Sequence, residues 1–332
     1  MADTFNYRID HHGSLVRPAG LSLDDPAAVT AAVRDGVAYQ RKLRSTVVTD
    51  GDFPRADFRG AVLDAVSGFR RTDETDADGL TRWVAESLPK ADGPLVADRT
   101  AQLADLTVIA RKVSLPSPAY LAATTYRPGL GPASARALGE ALAEIIRAEI
   151  ADLVAEGVRL IQLNNPLLLG LLAGEHPGEL SFEDALAVDA LAVRVDDRPD
   201  GVRIGVCPGW TAPTEVDRSR AERMYAGIPA DRWILPFATG TEAELDLVRA
   251  LPEHRDVCLG AVDAAVPDLE DIDTVMTRVD AAAGIKDIED MAVSPSRGFA
   301  DVATRPLLSA EDQRRKLVLV ETIARYCWGN EF

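Results

Sequence analysis

The stretch SARALGEALAEIIRAEIADLVAEGVRLIQLNNP, Ser134–Pro166, reads as a helix followed at once by a strand. Ser134 stands where an N-cap is expected and Gly157 where the helix has to stop. Beyond the glycine, Arg159–Pro166 is apolar nearly throughout until it meets two asparagines. Such a run, without polar alternation, is what a parallel strand buried on both faces requires.

The same pattern recurs outward in both directions. Strand-like runs occupy Thr46–Phe53, Leu106–Leu115, Val202–Gly209, Arg232–Gly240, Asp256–Ala264 and Asp290–Gly298. Helical patterns separate them. One opens at Thr241 with Glu244 three residues on, and another at Ser309 with Asp312, both at capping-box spacing. Strand and helix alternate seven times, or eight if the segment around HHGSL (His11–Leu15) supplies a first strand. This repetition predicts an α/β fold, a closed (β/α)8 TIM barrel formed as a single domain over residues 1–332. An open doubly wound sheet is the other arrangement to weigh, but no GxGxxG follows the first strand. The polar, turn-rich segment 68–105 is expected to be an insertion after the second strand.

The chain has 332 residues, 47% of them hydrophobic, enough for a large core. A formal net charge of −17 argues against a nucleic-acid partner, which needs a basic face. No apolar run is long enough to span a membrane, and the N-terminal residues lack a secretory pattern. Cys207, Cys258 and Cys327 are far apart and odd in number, so a reducing, cytoplasmic setting is expected. The expected partner is a small anionic molecule, and the sequence is compatible with a homo-oligomer.

A barrel keeps its chemistry at the C-terminal ends of its strands. Reading those ends gives His11, His12 and Ser14, then Asp50 and Asp52, then Arg111 and Lys112. Next come Asn164 and Asn165, Cys207 with Trp210, Asp263, and finally Ser296 and Arg297. Either histidine reads as a general base or metal ligand, or as a residue satisfied by a backbone carbonyl. Asp50 and Asp52 alternate along an extended segment and so can grip a cation or share a proton; TDGD is equally good turn chemistry. Asn164 and Asn165 can orient a substrate but cannot ionise. Cys207 reads as a reactive thiol or as a small buried hydrophobe, and Trp210 as a pocket wall or core packing. Arg297 is a fixed cation suited to a carboxylate, phosphate or sulfonate, or else an ordinary ion-pair partner of Asp263 or Asp301. Cys258 and Cys327 fall within apolar patterns and read as core.

The order of these motifs resembles the cobalamin-independent methionine synthase family, in particular its catalytic C-terminal barrel and its single-domain members such as the epoxyalkane:coenzyme M transferases. The resemblance runs over nearly the whole chain, through DHHGSLVRPAGL, VVTDGDFPRADF, LIQLNNP, VCPGW, LGAVDAAVPDLED, VSPSRGFAD and QRRKLVLVETIARYCWG. It implies a catalytic zinc that activates a substrate thiol, held by an HxC pair, a glutamate on the next strand and a cysteine in the last turn. Here the pair reads Gly205-Val206-Cys207, the glutamate strand Leu235-Pro236-Phe237, and the last turn Pro295-Ser296-Arg297-Gly298. The family's acidic pair after the fourth strand is Asn164-Asn165, its seventh-strand histidine or lysine is Ala264 or Ala265, and Asp52 matches a glutamate one methylene longer. One thiolate is not a zinc site, and a permanent guanidinium repels a cation.

These readings lead to an expected enzyme, not itself a methionine synthase, that acts on a small anionic substrate without zinc or another cofactor. Its reaction is a transfer, a carbon–sulfur or carbon–carbon lysis, or a decarboxylation. The uroporphyrinogen-type decarboxylases of the broader superfamily imply that such a barrel can work without metal. In this reading Arg297 binds the anion, Ser14, Asn164, Asn165, Cys207, Trp210 and Asp263 shape the pocket, and His11 or His12 with Asp50 or Asp52 moves protons. Two other readings stand beside it. One is a methyl- or alkyl-transferase to a thiol, with a folate-type donor and a metal on Cys207, His11 or His12, and Asp50 or Asp52. The other is a catalytically silent barrel that binds a metabolite or a partner.

Overall fold

The computed structural model describes residues 7–76 and 79–329. An extended segment around Ile9 leads to α1 (Pro26–Lys42), β1 (Val47–Val48) and a short α2 (Gly60–Leu63). A hairpin follows, β2 (Val66–Thr75) with β3 (Thr81–Ala91), and then α3 (Ala97–Ala101). Strands and helices alternate from there. First come β4 (Ala110–Pro116), α4 (Pro118–Thr125), α5 (Ala135–Ala155), β5 (Leu160–Asn164), α6 (Leu168–Leu172) and α7 (Phe182–Val193). Then follow β6 (Arg203–Cys207), α8 (Arg218–Gly227), β7 (Arg232–Pro236) and α9 (Glu242–Ala250). The last are β8 (Asp256–Val262), α10 (Ile272–Ala283), β9 (Met291–Pro295) and α11 (Ala310–Trp328).

Seven strands form one parallel sheet in the order β1-β4-β5-β6-β7-β8-β9. The Ile9 segment closes the circle. Ile9 pairs in parallel with Val293 of β9, with the Asp10 amide donating to the Val293 carbonyl at 2.9 Å and the Val293 amide to Arg8 at 2.9 Å. On the other side a side chain replaces the backbone ladder: the Ile9 amide donates to Thr46 Oγ1 at 2.9 Å, and that hydroxyl donates back to the Ile9 carbonyl at 2.8 Å. The result is the (β/α)8 barrel, whose eighth staff sits just ahead of the His11–Leu15 segment where the sequence suggested it.

Outward-facing strand residues such as Val113, Leu115, Ile161, Leu163, Val206, Trp233 and Leu259 share one continuous core with the surrounding helices. Inside the barrel, Cys207, Ile234, Cys258 and Ala292 pack together. Helix starts are fixed as the sequence predicts. Ser134 accepts from the Ala137 amide, Thr241 and Glu244 complete a capping box, and Ser309 accepts from the Asp312 amide. Each cap stabilises its helix by about 1 kcal/mol. No helix of the described residues is long and apolar enough to cross a membrane.

Three boundaries differ from the sequence reading. The Thr46–Phe53 strand shrinks to Val47–Val48, because Gly51 and Asp52 take positive φ (71° and 56°) and turn the chain into a rim loop. The strand expected from Leu106 starts only at Ala110, so Arg111 and Lys112 sit at its entry end and not at the rim. Segment 68–105 contains most of a long antiparallel hairpin. Its strands are largely solvent-exposed, so no apolar alternation announced them.

At the entry end the barrel is plugged by charge. Lys112 Nζ donates to Asp10 Oδ1 at 2.5 Å, and Arg232 Nη1 to Asp10 Oδ2 at 3.3 Å, all three residues being buried. Burial alone would push the Asp10 carboxyl up, but Lys112 and Arg232 outweigh it and hold it below the usual carboxylate range.

Candidate functional site

The loops after β1 and β9 meet across the barrel mouth. Asp57 pairs with Val302, the Phe58 amide donates to the Asp301 carbonyl at 3.0 Å, and the Ala303 amide to the Ala56 carbonyl at 2.9 Å. This clamp lays Phe58 against Tyr120 (centroids 5.5 Å, stacked) and edge-on to Trp210 (6.1 Å). The Arg297 guanidinium lies over the Trp210 ring, 4.0 Å from its centroid. An aromatic row ending in a cation therefore crosses the mouth.

Asp301 fixes that cation. Its Oδ2 accepts from Arg297 Nη2 at 2.6 Å and from Nε at 3.2 Å, while its Oδ1 accepts from Ser14 Oγ at 3.1 Å. Ser14 in turn accepts from the Ala300 amide at 3.2 Å. Gly298 leaves room for this contact, since a Cβ there would force Ser14 Oγ and Asp301 Oδ1 to shift. Of the two ion-pair partners the sequence offered for Arg297, the structure uses Asp301.

Beside this row opens a pocket of about 470 Å³, lined among others by Trp210, Pro236, Asp263, Ser296 and Arg297. It lies at the C-terminal ends of β7, β8 and β9, where a barrel carries its chemistry. Asp263 Oδ1 accepts from the Ala265 amide at 2.8 Å. Glu244, also on the wall, is engaged by Thr239, whose hydroxyl donates at 2.9 Å, and by the Gly240 and Thr241 amides. Four residues read from the strand ends thus share one pocket: Trp210, Asp263, Ser296 and Arg297. Sequence reasoning missed Asp301 as a member of the site, although SRGFAD placed it four residues from the arginine.

The remaining candidates are distributed differently. Cys207 is buried, its thiol 3.6 Å from the Gly209 carbonyl, and burial pushes it up to about 12. It is a thiol, not a thiolate, at neutral pH. Asn164 is buried and accepts from Gln162 Nε2 at 2.6 Å. Asn165 instead turns away to α7, donating to Asp189 Oδ2 at 2.8 Å. The sequence reading of Asn165 as a substrate-orienting amide is corrected here, because the next residue along a strand points to the opposite face.

His11 faces the Ser45 hydroxyl at 2.5 Å, and burial lowers it to about 4. His12 lies near Gln162 Nε2 (3.5 Å from Nδ1) and carries the hydroxyl of Ser114 on its carbonyl. Burial first, then the charge of Lys112, lower it to about 3, so both rings are neutral at pH 7. Asp50 and Asp52 do grip a cation, but it is Arg55: Nη2 reaches Asp50 Oδ2 at 2.9 Å, and Nη1 pairs with Asp52. Burial, with Asp50 and Asp301 nearby, pushes the Asp52 carboxyl up to about 7 against the pull of Arg55. Asp50 and Asp52 line a crevice of about 10 Å³ together with Gly13, Lys112 and Ser114, separate from the larger pocket.

In a closed parallel barrel a pocket over the strand ends is built from the βα loops, the face where such a fold carries its sites. The model of the cobalamin-independent synthase catalytic domain matches residues 22–318, and the chain belongs to that family. A B12-independent methionine synthase from Shewanella sp. W3-18-1, in complex with selenomethionine, is similar in structure (TM-score 0.76, 16% identity, 97% of each chain covered). So is a putative vitamin-B12 independent methionine synthase from Listeria monocytogenes (TM-score 0.73, 18% identity, 98% of each chain). At these identities the likeness is one of fold. In sequence, the chain is 29% identical to the uncharacterized protein YxjG of Bacillus subtilis (strain 168) over 162 residues, 47% of this chain and 42% of YxjG. The match thus spans less than half of that relative.

Proposed function

We propose that this barrel is an enzyme that acts on a small anionic substrate held by Arg297, and that it does so without the zinc its family resemblance implies. The observation that carries the reading is the guanidinium itself. It is laid on Trp210, fixed by Asp301, and opens on the pocket at the place in the last turn where the resemblance puts a metal-binding cysteine. The donor set does not fit zinc. Among the described residues no three His, Cys, Asp or Glu side chains converge to hold a metal ion. The surviving Cys207 is a buried thiol, and the neighbouring positive charge opposes a cation.

Within this reading Arg297, Trp210 and Asp263 on the pocket lining meet the substrate, while Asn164, and Asp52 with a carboxyl that titrates near neutral pH, support the site from outside that lining. The reaction types that suit such a site are transfer, carbon–sulfur or carbon–carbon lysis, and decarboxylation. The three cysteines are free, which supports a reducing, cytoplasmic setting. The test is calorimetric titration of small carboxylates into the wild type and Arg297→Gln. Saturable binding that the variant loses supports the reading; equal binding to both proteins refutes it.

A further inference from the structure

We infer that Asp301 is a specificity-determining residue: by occupying one edge of the Arg297 guanidinium it makes the pocket select singly charged anions, such as carboxylates, over doubly charged phosphate or phosphonate groups. The inference rests on the reading of Arg297 as the anion-binding group, and deepens it by naming the charge class of the ligand.

A free guanidinium presents a planar fork of donors that matches a tetrahedral dianion by two parallel bonds. Here the geometry removes most of that fork. The Nε and Nη2 edge is spent on Asp301 Oδ2, at 3.2 and 2.6 Å, and one face of the plane is covered by Trp210 at 4.0 Å. Nη1 has no partner among the described residues, and the arginine side chain keeps 26% of its surface exposed. An incoming anion meets a narrow, end-on donor edge whose charge is already shared with a carboxylate.

The surroundings oppose a second negative charge. Asp263 and Glu244 line the same pocket, and Asp301 stands behind the guanidinium. One anionic oxygen gains a charge-assisted hydrogen bond from Nη1. A second charge on the same group finds no further cation on the pocket lining and is repelled by these carboxylates. The surroundings keep Asp301 in place: Ser14 Oγ donates to its other oxygen, and a Cβ at position 298 would push on both Ser14 Oγ and Asp301 Oδ1.

The experiment uses three probes of similar size at pH 9.5, above the second ionisation of an alkylphosphonate: butyrate, propanesulfonate and propylphosphonate. They are titrated calorimetrically into wild type, Asp301→Asn and Arg297→Gln. Asparagine keeps the shape of Asp301 and its acceptor for Ser14, and circular dichroism checks the fold. The wild type is expected to bind butyrate and propanesulfonate roughly tenfold more tightly than propylphosphonate, the sulfonate separating charge from tetrahedral shape. Asp301→Asn is expected to shrink or reverse that ratio by improving phosphonate binding.

A wild type that binds propylphosphonate as tightly as butyrate overturns the inference, whatever the variant does. So does an Asp301→Asn variant that loses affinity for all three probes alike with the ratio unchanged, since a merely structural residue behaves that way. In both cases the anion-binding role of Arg297 survives. If no probe binds the wild type better than Arg297→Gln, the reading of Arg297 fails and the inference falls with it.

Discussion

Two cation clusters mark the two ends of this barrel, and they are built differently. At the entry end Lys112 and Arg232 converge on Asp10, all three almost fully buried, and the crevice that Lys112 also lines measures only about 10 Å³. At the mouth Arg297 is paired, among the described residues, on one edge only, is partly exposed, and faces a pocket of about 470 Å³. A saturated buried cation supports the fold, whereas a cation with an open edge over a cavity can meet a ligand. The carboxylate pair around Arg55 stands between these cases: nearly saturated, but close to a small polar crevice.

The largest effect should come from the entry end. Lys112→Met leaves the buried Asp10 with Arg232 as its remaining charged partner and is expected to cost about 3–5 kcal/mol of unfolding free energy. Denaturant unfolding measures it, and a loss below about 1 kcal/mol would break the contrast between the two ends. Arg297→Gln should do the reverse. Stability changes by less than about 1 kcal/mol, while anion affinity falls roughly tenfold to a hundredfold.

Around Arg55 the prediction concerns pH. The folded-state pKa of Asp52 is raised from 3.8 to about 7, so its protonated form is favoured by folding. The stability it contributes is fully present below about pH 4 and is lost as pH rises through about 7. The stability difference between wild type and Asp52→Asn should therefore decline across that window; a difference that grows with pH gives the opposite sign. The two buried histidines run the other way, since their lowered pKa values contribute stability above about pH 6.5 that is lost on acidification. This is why the comparison is made against the variant and not on the wild type alone.

The smallest effect is a null result with content. Cys207 and Cys258 are buried thiols pushed up to about 12, so neither should be alkylated by iodoacetamide in the folded protein at pH 7. Rapid labelling of Cys207, read by mass spectrometry, would make it a thiolate and weaken the account of the site.

The barrel was legible because β5 to β9 carry their own signature: short apolar runs, capped helices and little insertion between them. Ser134 and Thr241 announced their helices, and both caps are made. The first half was harder to read. The Ile9 segment closes the barrel through the Thr46 hydroxyl, a link that no hydrophobic period records. Lys112 looked like a rim residue because a charged side chain inside a barrel makes sense only once Asp10, distant in sequence, is seen beneath it.

The site was half legible for the same reason. Arg297, Trp210 and Asp263 come from loops after different strands, and their residue types pointed to the mouth. Asn164 and Asn165 are adjacent in sequence, so the text alone could not say that one faces inward and the other α7. Asp301 was named only as one of two partners for Arg297; its grip on Ser14 and its place behind the guanidinium are tertiary facts.

Zinc per chain, by elemental analysis of protein purified without chelator or a histidine tag, decides between an anion site and a metal site in the last turn. A site rebuilt around Arg297 predicts far less than one zinc per chain, with Cys207→Ser no different from the wild type. One zinc per chain that survives dialysis and is lost in Cys207→Ser would contradict it.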